Sequence, residues 1–375
     1  MFKQLTYKLF FCLPIIVSIL STNYFIDPFG FFEDSKSEKD IAQHLIMGYL
    51  VSNRDYYNDR MIQKYLILNK AFKDELVVLG SSRTVTLNKD IFPDITFFNH
   101  SVTGTTLEDI LAIYEMLSES NKEPNIVVLG TDSDFFNENN ATNFTKQWES
   151  IGSYYCNFLN RLQESKAIPD DYSCLINSEI FYVFKTYIRL FSLEYFQISF
   201  MTLMDYGNRK KQFKVSQNID YNEVTMTQLP DGSLFYGIEA QKRTTTEVNN
   251  YVVNEYITNI PALNNFYTID QKKWNLFTSS LLFLKNRGVK VIIFLTPYHP
   301  IAYNFFKNNI KYQTVMDVEN RVRAWSKDNG IPIIGSYDPT ICGYDNSDFY
   351  DATHLRKNSM ERYFKAVIDS TNYFD

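Results

Sequence analysis

Two short stretches, far apart in the chain, carry side chains that together could transfer an acyl group. In the first, Gly80-Ser81-Ser82-Arg83, two serines follow a glycine that ends an apolar run. In the second, Asp351-Ala352-Thr353-His354, a carboxylate precedes an imidazole by three positions. A serine hydroxyl is a poor nucleophile until a base removes its proton. A neutral imidazole is such a base, and a neighbouring carboxylate orients the ring and stabilises its protonated form. Ser82, His354 and Asp351 are therefore sufficient in kind for an acyl-serine route. Their spacing predicts that Asp351 and His354 share one turn at the start of a helix and point the same way.

Positioning such groups requires a scaffold, and the hydrophobic pattern predicts one. Apolar runs at Leu76–Leu79, Ile95–Phe98, Ile126–Leu129, Val289–Leu295 and Ile331–Ile334 read as buried strands. Helical periodicity falls between them, at Thr106–Ser118, Ile269–Arg287, Gln313–Asn329 and Asn358–Ser370. Repeated strand–helix order predicts an α/β fold, a three-layer sandwich with a central parallel sheet. In such sheets ligands collect beyond the carboxyl ends of the strands. Ser82, Gly104, Asp132 and His299 all follow predicted strands in that way.

Taken together, the blocks resemble the SGNH (GDSL-type) hydrolase superfamily. Its first block, Gly-Asp-Ser, corresponds to Gly80-Ser81-Ser82, with Ser82 as nucleophile and Ser81 in place of the usual Asp. The second-block glycine matches Gly104, whose N–H would serve an oxyanion hole, and the terminal Asp-x-x-His matches Asp351 and His354. The third block, Gly-x-Asn-Asp, reads Gly130-Thr131-Asp132-Ser133, so a carboxylate replaces an oxyanion donor. An ionised carboxylate only accepts hydrogen bonds and repels a developing oxyanion. Ser133 or Thr105 are the candidate substitutes. The resemblance implies an SGNH/flavodoxin-like fold over 76–137 and 289–370, with neither metal nor cofactor. Of the remaining polar candidates, His299 could shape a substrate pocket or order its loop. Arg83 could hold an anionic substrate or pair with a carboxylate. His100 and His44 read as structural and exposed, respectively.

The rest of the chain divides around this domain. Lys3 and Lys8 precede an uncharged run from Leu9 to Ile26, and Asp27, Glu33 and Asp34 follow it. That predicts an uncleaved transmembrane anchor over 1–26, its amino end in the cytoplasm and the body on the extracytoplasmic side, with a cleaved signal peptide as the rival reading. A connector (27–72) leads into the catalytic domain (73–137 and 271–375), interrupted by an insertion or cap (138–270). Cys156 and Cys174 could pair in an oxidising compartment or remain free thiols. No zinc-ligand spacing occurs among four cysteines and four histidines, and a formal charge of −6 gives no electrostatic reason for a nucleic-acid partner. Aromatic residues are frequent, 31 Phe and 27 Tyr, which reads as a compositional habit rather than a sugar-binding surface.

The membrane-anchored layout and the Gly-Ser-Ser block resemble SGNH-like envelope proteins that O-acetylate exported polysaccharides, and the related protein of teichoic-acid D-alanylation. The expected activity is serine-dependent acyl, chiefly O-acetyl, transfer to a cell-surface glycan. The acyl donor could come from a membrane acyltransferase partner. A carbohydrate or lipid esterase and a non-catalytic scaffold of an export complex are the alternatives.

Overall fold

The computed structural model describes residues 2–26, 36–53, 57–139, 150–169, 172, 187–206 and 213–374, with first-helix side chains from Leu13 onward. Its strands are β1 (Leu50–Ser52), β2 (Leu76–Leu79), β3 (Phe97–Asn99), β4 (Ile126–Thr131), β5 (Lys214–Ser216), β6 (Thr227–Gln228), β7 (Leu234–Phe235), β8 (Lys290–Leu295) and β9 (Ile333–Gly335). The larger sheet is parallel and ordered β3-β2-β4-β8-β9. Leu76 is in register with both Phe97 and Ile126, and Leu129 with Ile293. Counted within the sheet, this is the order 2-1-3-4-5, which reverses between β2 and β4. Doubly wound sheets leave their ligand crevice at such a reversal.

Both faces of this sheet are covered, which explains why its strands read as unbroken apolar runs. Val77, Leu79, Val127, Leu129, Val291 and Ile293 enter one core; Leu76, Val78, Ile126, Val128, Ile292 and Phe294 enter the other. The helices are α1 (Phe2–Ile26), α2 (Lys36–Ile46), α3 (Asp59–Asn69), α4 (Leu107–Glu119), α5 (Gly152–Glu164) and α6 (Leu193–Tyr206). After them come α7 (Ile238–Lys242), α8 (Thr245–Asn254), α9 (Gln271–Asn286), α10 (Pro300–Lys307), α11 (Gln313–Asn329) and α12 (Lys357–Ser370). The first core draws Leu111 from α4, Phe158 from α5, Phe277 from α9 and Val318 from α11, and the second draws Met360 and Phe364 from α12. Local chemistry starts these helices where the chain needs them. Thr106 and Asp109 close a reciprocal capping box at α4, and Asp270 caps α9 through the Lys273 N–H.

The predicted connector and insertion are not separate from each other. β1, from the connector, lies between β5 and β6 of the insertion in an antiparallel sheet ordered β5-β1-β6-β7. A small core of Ile41, Leu45, Val51, Ile62 and Leu66 sits against Phe98 of β3. The insertion is tied to the large sheet by backbone bonds, Asn99 N–H to Asp231 O at 2.8 Å and Leu234 N–H to Val85 O at 2.7 Å.

Residues 2–26 form one helix, α1, with Pro14 inside it. Among the described residues no helix is long and apolar enough to cross a membrane; of α1, the side chains described are those of 13–26. Cys156 is disulfide-bonded, while its expected partner Cys174 lies outside the described residues.

Candidate active site

The serine lies in the turn that follows β2. Thr84 N–H and Thr84 Oγ1 both donate to Ser81 O, at 3.0 and 2.9 Å, and the Arg83 N–H donates to Ser81 Oγ at 3.2 Å. These bonds leave Ser82 at the outside of the turn, half-buried, while Ser81, Arg83 and Thr84 are buried. The glycines of the first and third blocks make this turn possible. A Cβ on Gly80 would fall 2.4 Å from Thr84 Oγ1, and one on Gly130 would fall 2.5 Å from Thr84 Cγ2. Thr84 thus packs across two strand ends that must both be bare.

The histidine arrives from the other end of the chain. Contrary to the expectation of a helical turn, Asp351 and His354 sit in a loop before α12, which begins only at Lys357. A bridge between Phe349 and Leu355 closes the loop, with Tyr350 N–H donating to His354 O at 2.8 Å. Inside it, Asp351 Oδ1 accepts the N–H groups of Thr353 and His354 at 2.8 and 2.9 Å. Asp351 Oδ2 lies 2.7 Å from His354 Nδ1, and His354 Nε2 lies 2.8 Å from Ser82 Oγ. The three residues therefore form a hydrogen-bonded series spanning 272 positions of sequence. Burial raises the Asp351 carboxyl, but attraction to His354 and the bonds it accepts outweigh this and hold it well below the usual carboxylate range. An ionised Asp351 fixes the proton on Nδ1 and leaves Nε2 free to accept from Ser82.

The remaining candidates separate into distinct surroundings. Asp132, at the end of β4, pairs with Arg83 at 3.1 Å and accepts from the Thr296 hydroxyl. Arg83 also donates through Nη2 to Thr296 O and Pro297 O, at 2.5 and 2.8 Å, and lies 4.0 Å over the Tyr298 ring. Burial disfavours the Arg83 charge, but Asp132 beside it more than compensates and raises its pKa. Arg83 is thus a buried strut between β2, β4 and β8 rather than an open anion receptor. Ser133 is buried with its hydroxyl 2.8 Å from Tyr298 OH. Thr105 is buried too, and its hydroxyl has no hydrogen-bond partner among the described residues.

Gly104 is exposed in a loop held from beneath. Its φ of 58° suits glycine. Arg60 of α3 donates to Thr103 O and Gly104 O at 3.0 and 3.1 Å and pairs with Asp109 at 2.6 Å. His299 caps α10, its ring Nδ1 accepting the Ile301 N–H, and its backbone N–H donates to Ala352 O at 2.9 Å, bracing the His354 loop. Burial pushes its pKa down from 6.5 to about 4, so its ring is neutral at pH 7. His100 is buried, with Nδ1 2.7 Å from Gln63 Oε1. His44 is half-buried with its ring against Phe213.

Several residues near the site carried no clear motif. Tyr236, from the insertion, stands 5.9 Å from the His354 ring and 4.8 Å from Tyr350. Arg356 ties the same region down, donating to Gln241 O and Arg243 O at 3.1 and 2.6 Å. Only the capping signals, Thr106-x-x-Asp109 and Thr244-x-x-Glu247, were open to inspection. Among the described residues no group of three or more His, Cys, Asp or Glu is placed to hold a metal ion.

A comparison with curated proteins finds no match. A family model described as a protein of unknown function (DUF1574) matches residues 38–370, and the chain belongs to that family.

Proposed function

We propose that this chain is a membrane-anchored, SGNH-like serine acyltransferase that acts on an exported cell-envelope glycan. The observation that carries the reading is the series Ser82 Oγ–His354 Nε2–His354 Nδ1–Asp351 Oδ2, at 2.8 and 2.7 Å. Ser82 Oγ attacks the carbonyl of an ester donor while Nε2 takes the hydroxyl proton. The tetrahedral intermediate collapses, its alkoxide leaves with that proton, and an acyl-serine remains. A sugar hydroxyl then gives its proton to Nε2, attacks the acyl carbon and displaces Ser82, which regains a proton from His354.

The oxyanion would be held by the backbone N–H groups of Ser82 and Gly104. Pairing with Arg83 neutralises Asp132, so its carboxylate opposes the oxyanion less than an isolated charge would. Thr105, whose hydroxyl has no hydrogen-bond partner among the described residues, is the candidate donor for the position that Asp132 does not fill. Transfer is favoured over hydrolysis by the insertion, which brings Tyr236 beside His354 and is fastened at Val85 and Arg356. The extracytoplasmic location is supported by the Lys3 and Lys8 flank before Leu9–Ile26, and by the disulfide at Cys156. We read α1 as the anchor.

A serine-directed fluorophosphonate tests the chemistry. The wild-type chain should label and Ser82→Ala should not; a folded wild-type chain that fails to label favours a scaffold, for which Asp132 is the supporting feature. Acetyl-ester turnover with and without an oligosaccharide acceptor then separates the activities. Fast turnover without acceptor would mean an esterase.

A further inference from the structure

Among the described residues, exposed large apolar side chains cluster on α6 rather than at the active site. Phe191, Leu193, Phe200, Met201, Leu203 and Met204 are all exposed on this helix and the turn before it. At 100° per residue, those from Leu193 to Met204 cover an arc of roughly 160°. Tyr195 and Ser199 are buried on the opposite side. No charged residue occurs between Tyr195 and Met204; Glu194 marks the amino end and Gln197 is the one polar side chain within the arc. Others, such as Tyr267, Ile310 and Ile341, are exposed singly. A contiguous exposed apolar surface marks a site of protein or membrane contact.

What identifies the occupant is the neighbouring helix. α6 packs against α1, where Leu13, Ile15, Ile16, Val17 and Phe25 are also exposed, so two adjoining helices both carry exposed apolar side chains. The buried Asn23 of α1 staples them together, its amide donating to Leu190 O and Ser192 O at 2.8 and 3.2 Å. The amide nitrogen of this polar residue, inside an otherwise uncharged run, is thus paired with backbone carbonyls of the turn that leads into α6.

We propose that α6, with the turn before it, is a second lipid-contacting element, seated beside α1 in the acyl region of a phospholipid bilayer. This rests on reading α1 as the membrane anchor. With 14 residues, α6 is about 21 Å long, short of the ~30 Å hydrocarbon core, so it lies in the membrane without crossing it. The insertion is then held to the membrane at α6 and to the catalytic His354 at Tyr236.

Photocrosslinking of the full chain tests this. p-Benzoylphenylalanine replaces Ile16 or Phe200, and each protein is reconstituted into phosphatidylethanolamine–phosphatidylglycerol vesicles and irradiated. Phospholipid adducts at both positions are expected. An adduct at Ile16 but none at Phe200 overturns the α6 proposal and leaves the anchor standing. No adduct at either position removes the anchor, and the proposal with it. Chain-to-chain crosslinks at Phe200 in place of lipid adducts overturn it in favour of a second copy. The unaltered chain supplies an independent measurement, because Met201, Met204 and Met47 are 67, 66 and 60% exposed. Under hydroxyl-radical footprinting in the same vesicles, Met201 and Met204 should oxidise several-fold more slowly than Met47; equal rates overturn the proposal.

Discussion

Asp351 and Asp132 both stand at the carboxyl edge of the large sheet, and each has a single basic side chain against it. Asp351 is half-buried in a polar loop, accepts two backbone N–H groups and faces an imidazole whose other nitrogen reaches Ser82. Asp132 is buried against an arginine that also donates to two carbonyls of the chain beyond β8. The first arrangement leaves a nitrogen that reaches Ser82, whereas the second spends the donors of Arg83 on a carboxylate and two carbonyls. Chemistry at one acid and cohesion at the other follow from the partner rather than from the carboxylate.

The comparison breaks first at Asp351. Asp351→Asn should lower acyl-transfer kcat by about 10⁴ through the wrong imidazole tautomer, with little change in thermal stability. A loss of under tenfold would detach Asp351 from the chemistry. Asp132→Asn should do the reverse. It leaves Arg83 buried without its counter-charge, at a cost of about 3–5 kcal/mol by denaturant unfolding, while the folded fraction still labels with fluorophosphonate. Unchanged stability would reduce the ion pair to an incidental contact.

Smaller effects sharpen the contrast. Thr105→Val should cost about 10²–10³ in kcat with little change in KM, as expected for loss of one oxyanion donor; an unchanged kcat would return that position to structure. The pH dependence of stability below neutrality should trace to the two buried histidines whose pKa burial lowers, His299 and His100. A base held below its unfolded value binds fewer protons folded than unfolded, so its contribution is present above about pH 6.5 and is lost as pH falls towards 4. The difference is worth roughly 3 kcal/mol. His299→Asn, which can still cap α10, should lessen the slope of stability across that window and leave the part due to His100. Asp351 acts in a lower window, since a depressed carboxyl loses its contribution only as pH falls from 3.8 through its folded value. An acid transition unchanged by His299→Asn would mean that its ring is not held neutral by burial.

Much of the frame was legible because burial on both faces leaves a local signature. Leu76–Leu79 is a strand with the bounds its composition suggests, and α11 occupies Gln313–Asn329 as its periodicity indicates. The other strands shift by one or two residues, since pairing rather than composition fixes where a strand ends. Strand character is readable near Ser233–Tyr236, where β7 lies, but the two-residue strand β6 has no readable period, and β1 exists by pairing across more than 160 positions with β5. Near the site, the sequence allows Arg83 to pair with a carboxylate, but only packing shows that the carboxylate is Asp132.

The amino-acid sequence by itself determined which residues could do acyl chemistry, the strand–helix alternation that carries them, and the uncharged run at the amino end. These depend on side-chain type and on neighbours a few positions away. Tertiary structure alone decided that His354 reaches Ser82 from a loop and not a helix, that Asp132 is neutralised by Arg83, and that α6 exposes its apolar face beside α1. Each depends on the distance between residues remote in the chain, which packing sets and local propensity does not encode.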